Sequence, residues 1–234
     1  IQLFISKFIA KEAHFVLPVS YYLKNDLEDL RFQNAVEVVE NVVDTAIFHV
    51  KESKNNRFAF LHISNLVSLK NPDKIIEVAI LLAKEFQNFE LQIGGDGDVE
   101  SLKKIIKENK AENYIKTFET LSSKEVAEKM RNSDCFILFS NYENFPCVLL
   151  ESLPCGTPAI ATKVGGIPEI INDKNGVLIS NNETDLLVAM RNVLLQNTNF
   201  QNPEHLHQLI ENRFSMPVIA QKFDLIYKKV LASF

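Results

Sequence analysis

The sequence lacks several features that mark common classes of protein. No apolar run approaches the roughly 20 residues that a membrane-spanning helix needs, so nothing is expected to cross a bilayer. The three cysteines, Cys135, Cys147 and Cys155, form no C-x-x-C pair, and the five histidines do not cluster in the sequence. This spacing favours neither a metal site nor a hydrolase triad. Scattered cysteines among apolar residues are typical of a reduced, cytoplasmic interior.

The sequence also lacks a surplus of positive charge. The formal net charge is −5, and the lysines and arginines are spread along the chain without forming a basic stripe. Nucleic acid is therefore not expected as a partner. With 234 residues, of which 46% are hydrophobic, the chain is long enough for one large domain or two small ones with a buried core.

The chain begins at Ile1, and its first residues could be mistaken for a targeting segment. Lys7, Lys11 and Glu12 interrupt the apolar stretch, and no small-residue cleavage site follows it. An amphipathic helix over residues 1–12 is therefore the better interpretation. We expect the chain to be a fragment of a longer protein.

Short apolar runs alternate with helix-like segments along most of the chain. The runs that predict strands are His14–Ser20, the β-branched Val36–Val43, Phe58–Ile63, Leu91–Ile93, Tyr114–Phe118, Cys135–Phe139, Ala159–Ala161 and Gly176–Ile179. The segments that predict helices or helical turns are Tyr22–Leu30, Asn71–Phe86, 99–109, Ser123–Arg131 with Ser123 as its cap, Val148–Leu153, Pro168–Asn172, Thr184–Gln196 and Pro217–Ala232. This alternation predicts an α/β fold, a Rossmann-like parallel sheet with helices on both faces. Ligands bind at the carboxyl ends of the strands in such sheets.

Two loops after predicted strands carry features that suit an anion. Lys70 directly precedes the helix predicted from residue 71, where the helix macrodipole disfavours a cation unless an anion docks beside it. The segment 94–97 reads Gly-Gly-Asp-Gly and follows another strand, so it permits close backbone approach. A solvated lysine and a plain tight turn are the alternative interpretations, and the glycines do not form a G-x-G-x-x-G motif.

The stretch from Ser140 to Glu169 is the most informative part of the sequence. Glu143 and Glu151 stand eight positions apart, on either side of a proline-containing turn and an apolar run. On a single helix they would be separated by about 12 Å and by roughly 80° around the axis, which argues against a close acid–base pair. Two carboxylates at the ends of one extended ligand fit better, because a carboxylate can accept two hydrogen bonds from a vicinal diol. Two solvated glutamates that flank a packed helix are the alternative.

Backbone amides are expected between and beyond these two carboxylates. Pro146 suits the first position of a helix, so the helix N-terminus at 147–148 can offer amides to a phosphate. Gly165 and Gly166 permit another close approach of the backbone. Glu169 falls in the first turn of the next helix, where the macrodipole alone would favour an acidic residue.

Together these motifs resemble the C-terminal half of a retaining GT-B glycosyltransferase of family 4, the glycosyl transferases group 1. The resemblance rests on the E-x7-E motif from Glu143 to Glu151, on the segment CGTP at 155–158 and on GGIPE at 165–169, and it covers nearly the whole chain. The resemblance implies that the chain consists of three parts. Residues 1–50 would end the N-terminal acceptor domain and form the linker, 51–215 would be the nucleotide-sugar-binding domain, and 216–234 a helix that crosses back.

The resemblance implies a nucleotide-sugar donor, a UDP- or GDP-sugar, and neither a cofactor nor a metal. Lys70 would neutralise the diphosphate, Glu151 would bind the ribose hydroxyls, and Glu143 would hold the donor sugar, which makes Lys70 and Glu143 the expected catalytic residues. The backbone from Asn144 to Val148 would hold the sugar and the distal phosphate, and the loop around Phe118–Leu121 would border the base. The candidate binding residues are Asn65, Lys70, Phe118, Thr120, Leu121, Glu143, Asn144, Phe145, Pro146, Cys147, Val148 and Glu151.

The resemblance also implies the reaction and its setting. The sugar would be transferred with retention to a glycan or a lipid-linked acceptor, as in the synthesis of surface polysaccharides. The acceptor would bind the N-terminal domain that this chain lacks, so the fragment alone is expected to bind donor weakly and to transfer little or no sugar. The location implied is the cytoplasm, and lipid-linked acceptors would be compatible with peripheral association at the inner face of the membrane.

The chain departs from the family pattern at three places. Asn65 stands where an arginine is usual, which removes one cation for the diphosphate. The loop reads Asn-Phe-Pro at 144–146 where Gly-Phe-Gly is usual, and Thr120 stands where glycine is common. The alternatives are a degenerate, non-catalytic nucleotide-sugar-binding module and a GT-B nucleotide-sugar 2-epimerase.

Overall fold

The structure is a computed structural model that describes residues 13–29, 35–51 and 57–232. Its centre is a six-stranded sheet made of β3 (Phe58–Ser64), β4 (Phe89–Gly95), β5 (Ile115–Phe118), β6 (Cys135–Leu138), β7 (Ala159–Thr162) and β8 (Gly176–Ile179). All of these strands are parallel, in the order β5-β4-β3-β6-β7-β8. A separate parallel pair, β1 (Phe15–Val16) and β2 (Ala35–Val36), precedes the sheet. The predicted α/β fold with a Rossmann-like parallel sheet is confirmed.

Helices connect the strands and cover both faces of the sheet. They are α1 (Tyr21–Asp29), α2 (Pro72–Ala83), α3 (Val99–Glu108), α4 (Ser123–Arg131), α5 (Cys147–Ser152), α6 (Glu183–Leu194), α7 (Pro203–Phe214) and α8 (Met216–Leu231). Helices α3, α6 and α7 each follow a side chain that accepts a hydrogen bond from the first turn: Asp98 from Ser101 N, Asn182 from Asp185 N, and Asn202 from His205 N. Such a cap stabilises a helix by about 1 kcal/mol.

The side chains of each strand divide between two cores. Phe60 and Ile137 pack on one face of the sheet, against the apolar sides of α2, α3 and α6. Leu61 and Phe136 pack on the other face, against α4, α5 and α7. Adjacent strand residues therefore point to opposite faces, both of which are buried. This explains why the strand sequences are continuously apolar rather than alternating.

The order of the strands creates a crevice at one edge of the sheet. From β3 the chain runs outward to β4 and β5, and then returns to place β6 against the other side of β3. The connections thus leave β3 and β6 in opposite directions, which separates the loops that follow these two strands. In open α/β sheets, ligands bind at this kind of topological switch point, outside the carboxyl ends of the strands.

The first described segments pack against the last helix. Val39 forms a small buried cluster with Ile219 and Ile226 of α8, to which Phe15 and Phe223 contribute half-buried rings. Two ion pairs reinforce this packing: Lys222 pairs with Glu40, and Lys229 pairs with Glu37 at 2.5 Å. The described segments 13–29 and 35–51 are therefore joined to α8 as well as to the sheet domain.

Glu169 lies in its own 3₁₀ turn and also caps the N-terminus of α1. Its two carboxylate oxygens accept hydrogen bonds from the backbone N of Tyr21, at 2.9 Å, and of Tyr22, at 2.8 Å. Ser20 Oγ accepts a third from Leu23 N at 3.0 Å. The N-terminus of α1 is thus capped from a distant part of the chain, and the carboxylate also complements the positive end of the helix macrodipole.

Two predictions for the early part of the chain were wrong. The strand predicted at His14–Ser20 is limited to Phe15–Val16, and the β-branched run from residue 36 contributes only Ala35–Val36. Pro18 has no backbone N–H, so it cannot continue the ladder, although its carbonyl still accepts from Val39 N at 3.0 Å. The helix predicted over residues 1–12 and most of the polar segment 51–57 lie outside the described residues.

Three helix assignments also need correction. Ser122, not Ser123, caps α4, because Ser122 and Glu125 form a reciprocal capping box. Pro146 occupies the cap position rather than the first turn, since its ψ of 118° is extended and α5 begins at the following residue. Helix α7 was not predicted at all, although Asn202 followed by proline repeats the pattern that begins α2.

Candidate functional site

Lys70 and Glu143 meet at the switch point between β3 and β6. Lys70 ends a 3₁₀ turn, Ser68–Lys70, that follows β3, and Glu143 lies in the loop that follows β6. The Nζ atom of Lys70 donates to Oε1 of Glu143 in a close ion pair, with the lysine side chain 19% exposed and the glutamate 9% exposed. Two residues that are 73 positions apart in the chain thus place opposite charges together in the crevice.

The carboxylate of Glu143 is held by the loop around it. Ser140 Oγ donates to Oε1 at 2.7 Å, and Thr162 Oγ1 at the end of β7 donates to the carbonyl of Ser140 at 2.7 Å. Lys70 Nζ and Ser140 Oγ thus both donate to the same carboxylate oxygen, Oε1. Among the described residues, none makes a hydrogen bond to Oε2 of Glu143, so this oxygen can accept from a bound hydroxyl. Ser140 was not among the candidate residues predicted from the sequence.

The turn at Gly165–Gly166 supports the Glu143 loop from the other side. Gly165 has a φ of 52°, and a Cβ atom on it would lie 1.6 Å from the carbonyl oxygen of Glu143. The N–H of Gly166 donates to Asn144 O at 3.0 Å. These contacts require glycine at residue 165, both for its left-handed backbone and for the closeness of the neighbouring carbonyl. The expected close backbone approach at this turn is found, and its partner is the Glu143 loop.

Glu151 lies near the end of α5, in a half-buried environment. Burial raises its pKa above the ordinary range. Among the described residues, no side chain or backbone group donates a hydrogen bond to its carboxylate. A half-buried carboxylate with no partner loses solvation without compensation, which is costly unless a ligand supplies the donors.

The loop between Glu143 and Glu151 exposes some predicted residues and buries others. Phe145 is buried against Phe214 with ring centroids 5.6 Å apart, and its carbonyl accepts from Asn41 Nδ2 at 2.7 Å. Its side chain therefore packs in the core and is not available to a ligand. Pro146 is also buried, Val148 is half-buried, and Asn144 and Cys147 are exposed. By helix geometry, the amides of Cys147 and Val148 have no acceptor within the helix and are available to an anion, whereas Leu149 N donates to Pro146 O at 3.2 Å.

A shallow groove of about 220 Å³ lies where the loops after β4 and β5 meet. It is lined by Gly95, Asp96, Gly97, Glu119 and Thr120, among others. Gly94 packs against the carbonyl of Phe118, and Leu121 is half-buried beside it. The ring of Phe118 lies under the ammonium group of Lys129, 4.5 Å from the centroid. The structure thus brings the predicted 118–121 loop next to the glycine segment 94–97.

Asn65 is exposed, and its carbonyl lies against Gly97, so it borders the same groove. Its neighbour Leu66 has a φ of 54°, a left-handed conformation that is uncommon for a leucine. The loop after β3 is therefore tightly folded at the position where the chain lacks an arginine.

A larger cavity of about 1400 Å³ lies at the opposite edge of the sheet. It opens beside the amino ends of β3, β4 and β6, and its lining includes Arg57, Asp134, Thr157, Leu195 and Pro203. None of the predicted site residues lines it. Its position away from the carboxyl ends of the strands gives it no part in the site between Lys70 and Glu143.

His62 lies in β3 and has a structural role. Its ring is fully buried, with Nδ1 2.9 Å from Ile137 O and Nε2 2.9 Å from Ser64 Oγ. Burial lowers the pKa of His62 from 6.5 to about 4; the hydrogen bond to Ile137 opposes this effect, and the charge of Lys70 adds to it. The ring is therefore neutral at pH 7 and joins β3 to β6.

Acidification should destabilise the fold through His62. Because its folded pKa is depressed, the stabilisation that it contributes is present above pH 6.5 and is lost as the pH falls towards 4. The full effect should be about 3 kcal/mol of unfolding free energy. Urea unfolding at pH 7, 5.5 and 4 should therefore show a smaller loss in His62→Asn than in the wild type. His205→Asn, at an exposed position, is the control, and equal pH dependence in all three proteins would contradict the prediction.

Within the described ranges, no three His, Cys, Asp or Glu side chains come together as ligands for a metal ion. Of the helices in the same ranges, none is long and apolar enough to span a membrane.

Comparison with known proteins identifies the family. The sequence profile described as Glycosyl transferases group 1 matches residues 43–216, which include both Glu143 and Glu151. The chain belongs to this family.

The group 1 relatives are distant in sequence. A phosphatidylinositol N-acetylglucosaminyltransferase subunit of Arabidopsis thaliana is 25% identical over 199 residues, which are 84% of this chain and 44% of that protein. N-acetyl-alpha-D-glucosaminyl L-malate synthase of Bacillus anthracis is 24% identical over 238 residues, covering 96% of this chain and 62% of that protein. The chain thus spans about half of the length of the curated relatives that it matches.

Solved structures share the fold of this group 1 chain. Sucrose-phosphate synthase from Thermosynechococcus elongatus superimposes with a TM-score of 0.87 at 17% identity, covering 100% of this chain and 62% of that one. Anabaena HepE, solved in complex with UDP, superimposes with a TM-score of 0.83 at 19% identity, covering 99% of this chain and 67% of that one. The sheet and its helices therefore have the GT-B architecture that the resemblance implied.

Proposed function

We propose that this chain is the C-terminal, donor-binding half of a retaining family 4 glycosyltransferase, and that it binds a UDP- or GDP-sugar between β3 and β6. The observation that carries the proposal is the meeting of Lys70 and Glu143 at the switch point of the sheet. A cation and a carboxylate at the same place match the two ends of a sugar diphosphate, one anionic and one rich in hydroxyls. The match of the family profile and the UDP bound to HepE support a nucleotide-sugar donor.

Lys70 is the residue proposed to bind the diphosphate. In the free chain its ammonium group is paired with Glu143. A diphosphate carries more negative charge than one carboxylate, so it can compete for this ammonium group when it enters the crevice. Glu143, still held by Ser140, then accepts hydrogen bonds from the hydroxyls of the donor sugar. The backbone from Asn144 to Val148, which includes the first amides of α5, lies between Glu143 and Glu151 in the sequence and is proposed to hold the sugar and the distal phosphate.

Glu151 is the residue proposed to bind the ribose. Its carboxylate has the unsatisfied acceptors that a vicinal diol needs, and its surroundings are half-buried, so hydrogen bonds to it are stronger than at an open surface. The base is proposed to lie in the groove bordered by Phe118, Thr120 and Leu121, with Asn65 at its edge.

The reaction proposed is sugar transfer with retention at the anomeric carbon and without a metal. The bond from that carbon to the diphosphate oxygen breaks, and a bond from the same carbon to the acceptor oxygen forms on the same face of the sugar. Lys70 and the helix amides stabilise the negative charge on the leaving oxygen, which takes the proton of the acceptor hydroxyl. The acceptor, a glycan or a lipid-linked sugar, is proposed to bind a domain outside this chain. The proposed setting is surface polysaccharide synthesis in the cytoplasm, at the inner face of the membrane.

Calorimetric titration with UDP-, GDP- and ADP-sugars tests the donor site. We expect one of the three nucleotide classes to bind with a Kd below a millimolar. Replacing Glu151 by glutamine should weaken this binding by roughly tenfold, because a hydrogen bond to a charged group is lost. Glu77→Gln, at an exposed position on α2, is the matched control and should change nothing. The absence of sub-millimolar binding with all three classes, or binding that Glu151→Gln leaves unchanged, would remove the basis for the proposal.

The same Glu151→Gln variant should be more stable than the wild type at pH 7. Because the folded pKa of Glu151 is raised, its ionised form destabilises the folded state above that pKa, and this penalty vanishes once the pH is low enough to protonate it in both states. Thermal unfolding at pH 7 and pH 3.5 should therefore show a higher Tm for the variant at pH 7 and no difference at pH 3.5. A lower Tm at pH 7 would mean that Glu151 has an unrecognised partner.

One observation favours a second candidate, a binding module without catalysis. Asn65 is uncharged where the family usually has an arginine, so Lys70 alone would neutralise the diphosphate. Sugar transfer or donor hydrolysis by the longer parent protein distinguishes the two candidates. Loss of that activity in Lys70→Ala would exclude the binding module, and a sugar epimer as the sole product would instead favour the epimerase.

A further inference from the structure

Three asparagine side chains from three different loops meet at the carboxyl edge of the sheet. Asn71 Nδ2 donates to Asn141 Oδ1 at 2.7 Å, and Asn181 Nδ2 donates to the same oxygen at 2.8 Å. Asn71 Nδ2 also donates to the backbone carbonyl of Phe139 at 2.9 Å, and the backbone N of Asn141 donates to Leu69 O at 2.8 Å. These contacts join the loops that follow β3, β6 and β8.

Asn71 does not use its side chain in the way that is usual at the start of a helix. An asparagine at this position commonly accepts a hydrogen bond from the first turn, from an extended backbone. Asn71 precedes α2 but makes no side-chain cap, and its φ of 48° and ψ of 46° are left-handed. The residue is only 5% exposed, and its amide group donates across the crevice to the end of β6. The side chain therefore contributes to the position of the loop rather than to the start of α2.

The hydrogen bonds of Asn71 lie next to both charged residues of the site. Lys70 is its immediate neighbour in the chain, and Asn141 precedes Glu143 by two residues. Phe139 and Asn141 flank Ser140, which donates to Glu143. The distance between the backbones that carry Lys70 and Glu143 is thus set by contacts that do not involve either charge.

We propose that Asn71 is a positioning residue, which acts through Phe139 and Asn141 to hold Lys70 against Glu143. Asparagine suits this role because it tolerates the left-handed backbone and also carries two N–H donors. Glycine would keep the backbone conformation and lose the donors. The geometric part of the proposal concerns the free chain, whereas its consequence for a ligand rests on the proposed donor function.

The first test needs no ligand and measures how accessible the Lys70 amine is. Reductive methylation followed by peptide mass spectrometry gives a rate for each lysine. We expect Asn71→Gly to raise the rate at Lys70 by about tenfold, because loss of the amide contacts opens the ion pair. Asn141→Ala, which changes an exposed side chain and removes the acceptor, should raise it as well. Lys110→Gly, at a residue with a φ of 54° outside the site, is the control, and Lys74 is the internal reference in every protein.

The second test compares nucleoside diphosphates with monophosphates. Kd values are measured for UDP and UMP, for GDP and GMP, and for ADP and AMP. Asn71→Gly should weaken diphosphate binding by about tenfold and monophosphate binding by less than twofold. The reason is that only the diphosphate reaches both Lys70 and the Glu143 loop. A general loss of structure would weaken both. An unchanged Lys70 rate in both Asn71→Gly and Asn141→Ala overturns the proposal, and so does an equal loss for diphosphates and monophosphates.

The outcomes also separate this proposal from the donor function. If the Lys70 rate rises in the variants but none of the three diphosphates binds the wild type, the positioning role is supported and the donor function fails. If a diphosphate binds and the Lys70 rate does not change, the donor function is supported and the positioning role fails.

Discussion

Replacing Lys70 by alanine should weaken the binding of a nucleoside diphosphate by about 100-fold, as expected when a charged hydrogen-bond donor is lost and an acidic group is left facing the anion. In the wild type, the ammonium group of Lys70 offsets the carboxylate of Glu143. Without it, the diphosphate meets a nearly buried negative charge and no compensating cation. Calorimetry with the diphosphate that binds the wild type best is the measurement.

The control for Lys70→Ala is Lys74→Ala, which lies four residues further along the chain, in the first turn of α2. Lys74 pairs with Glu183 at 3.4 Å on the surface, so its loss should change the Kd by less than about twofold. Because Lys70→Ala also leaves Glu143 without its partner, it should lower the unfolding free energy by about 3 kcal/mol. The double variant Lys70→Ala, Glu143→Gln should recover most of that stability but none of the binding. Recovery of binding in the double variant would show that Lys70 only neutralises Glu143.

Replacing Gly165 by alanine should both destabilise the chain and displace the Glu143 loop. The added Cβ would lie 1.6 Å from the carbonyl oxygen of Glu143, and the φ of 52° is unfavourable for alanine. Backbone must move to relieve this contact, so we expect a loss of about 2–4 kcal/mol of unfolding free energy. Because the moving atoms belong to Glu143, binding of the nucleotide sugar should fall by at least about tenfold. Urea unfolding and calorimetry on the same preparation measure the two effects.

Gly156→Ala is the matched control for Gly165→Ala. Gly156 also has a positive φ, 84°, and its added Cβ would lie 2.7 Å from the Cβ of Pro203. This variant should lose stability as well, but it lies at the opposite edge of the sheet and should keep the Kd of the wild type. Equal losses of affinity in the two variants would show that affinity follows overall stability rather than the position of the Glu143 loop.

The sequence predicts that Lys70 and Glu143 lie at the same edge of the sheet, whereas their contact depends on the strand order, which puts β3 beside β6. Both residues follow predicted buried strands, and parallel strands bring their carboxyl ends to one edge. Which side of a loop faces the ligand does not follow from topology. Phe145 was among the candidate binding residues, yet its ring packs against Phe214 of α7, a helix that was not predicted. An aromatic side chain in a loop can pack in the core or contact a ligand. Which of the two it does depends on the elements that pack around the loop.

The supporting contacts were not predictable for a related reason. Serine and asparagine, the residue types at 140 and 71, are common in any loop. Asn71 and Phe139, which are joined by a hydrogen bond, stand more than 60 positions apart in the sequence. Local pattern carries no information on such pairs. The short β1 is different, because Pro18 lies inside the run that was predicted as a strand, and a proline in such a run is a signal that the strand is limited.

The cap that Glu169 provides for α1 connects this helix to the loop that carries Glu143. Gly166 is bonded to Asn144, and Glu169 is bonded to the first amides of α1. A single 3₁₀ turn, Ile167–Glu169, joins these two attachments. Helix α1 is therefore attached to the loop that carries Glu143 by two routes, because Tyr22 of α1 also contacts Tyr142 of that loop, with ring centroids 6.5 Å apart.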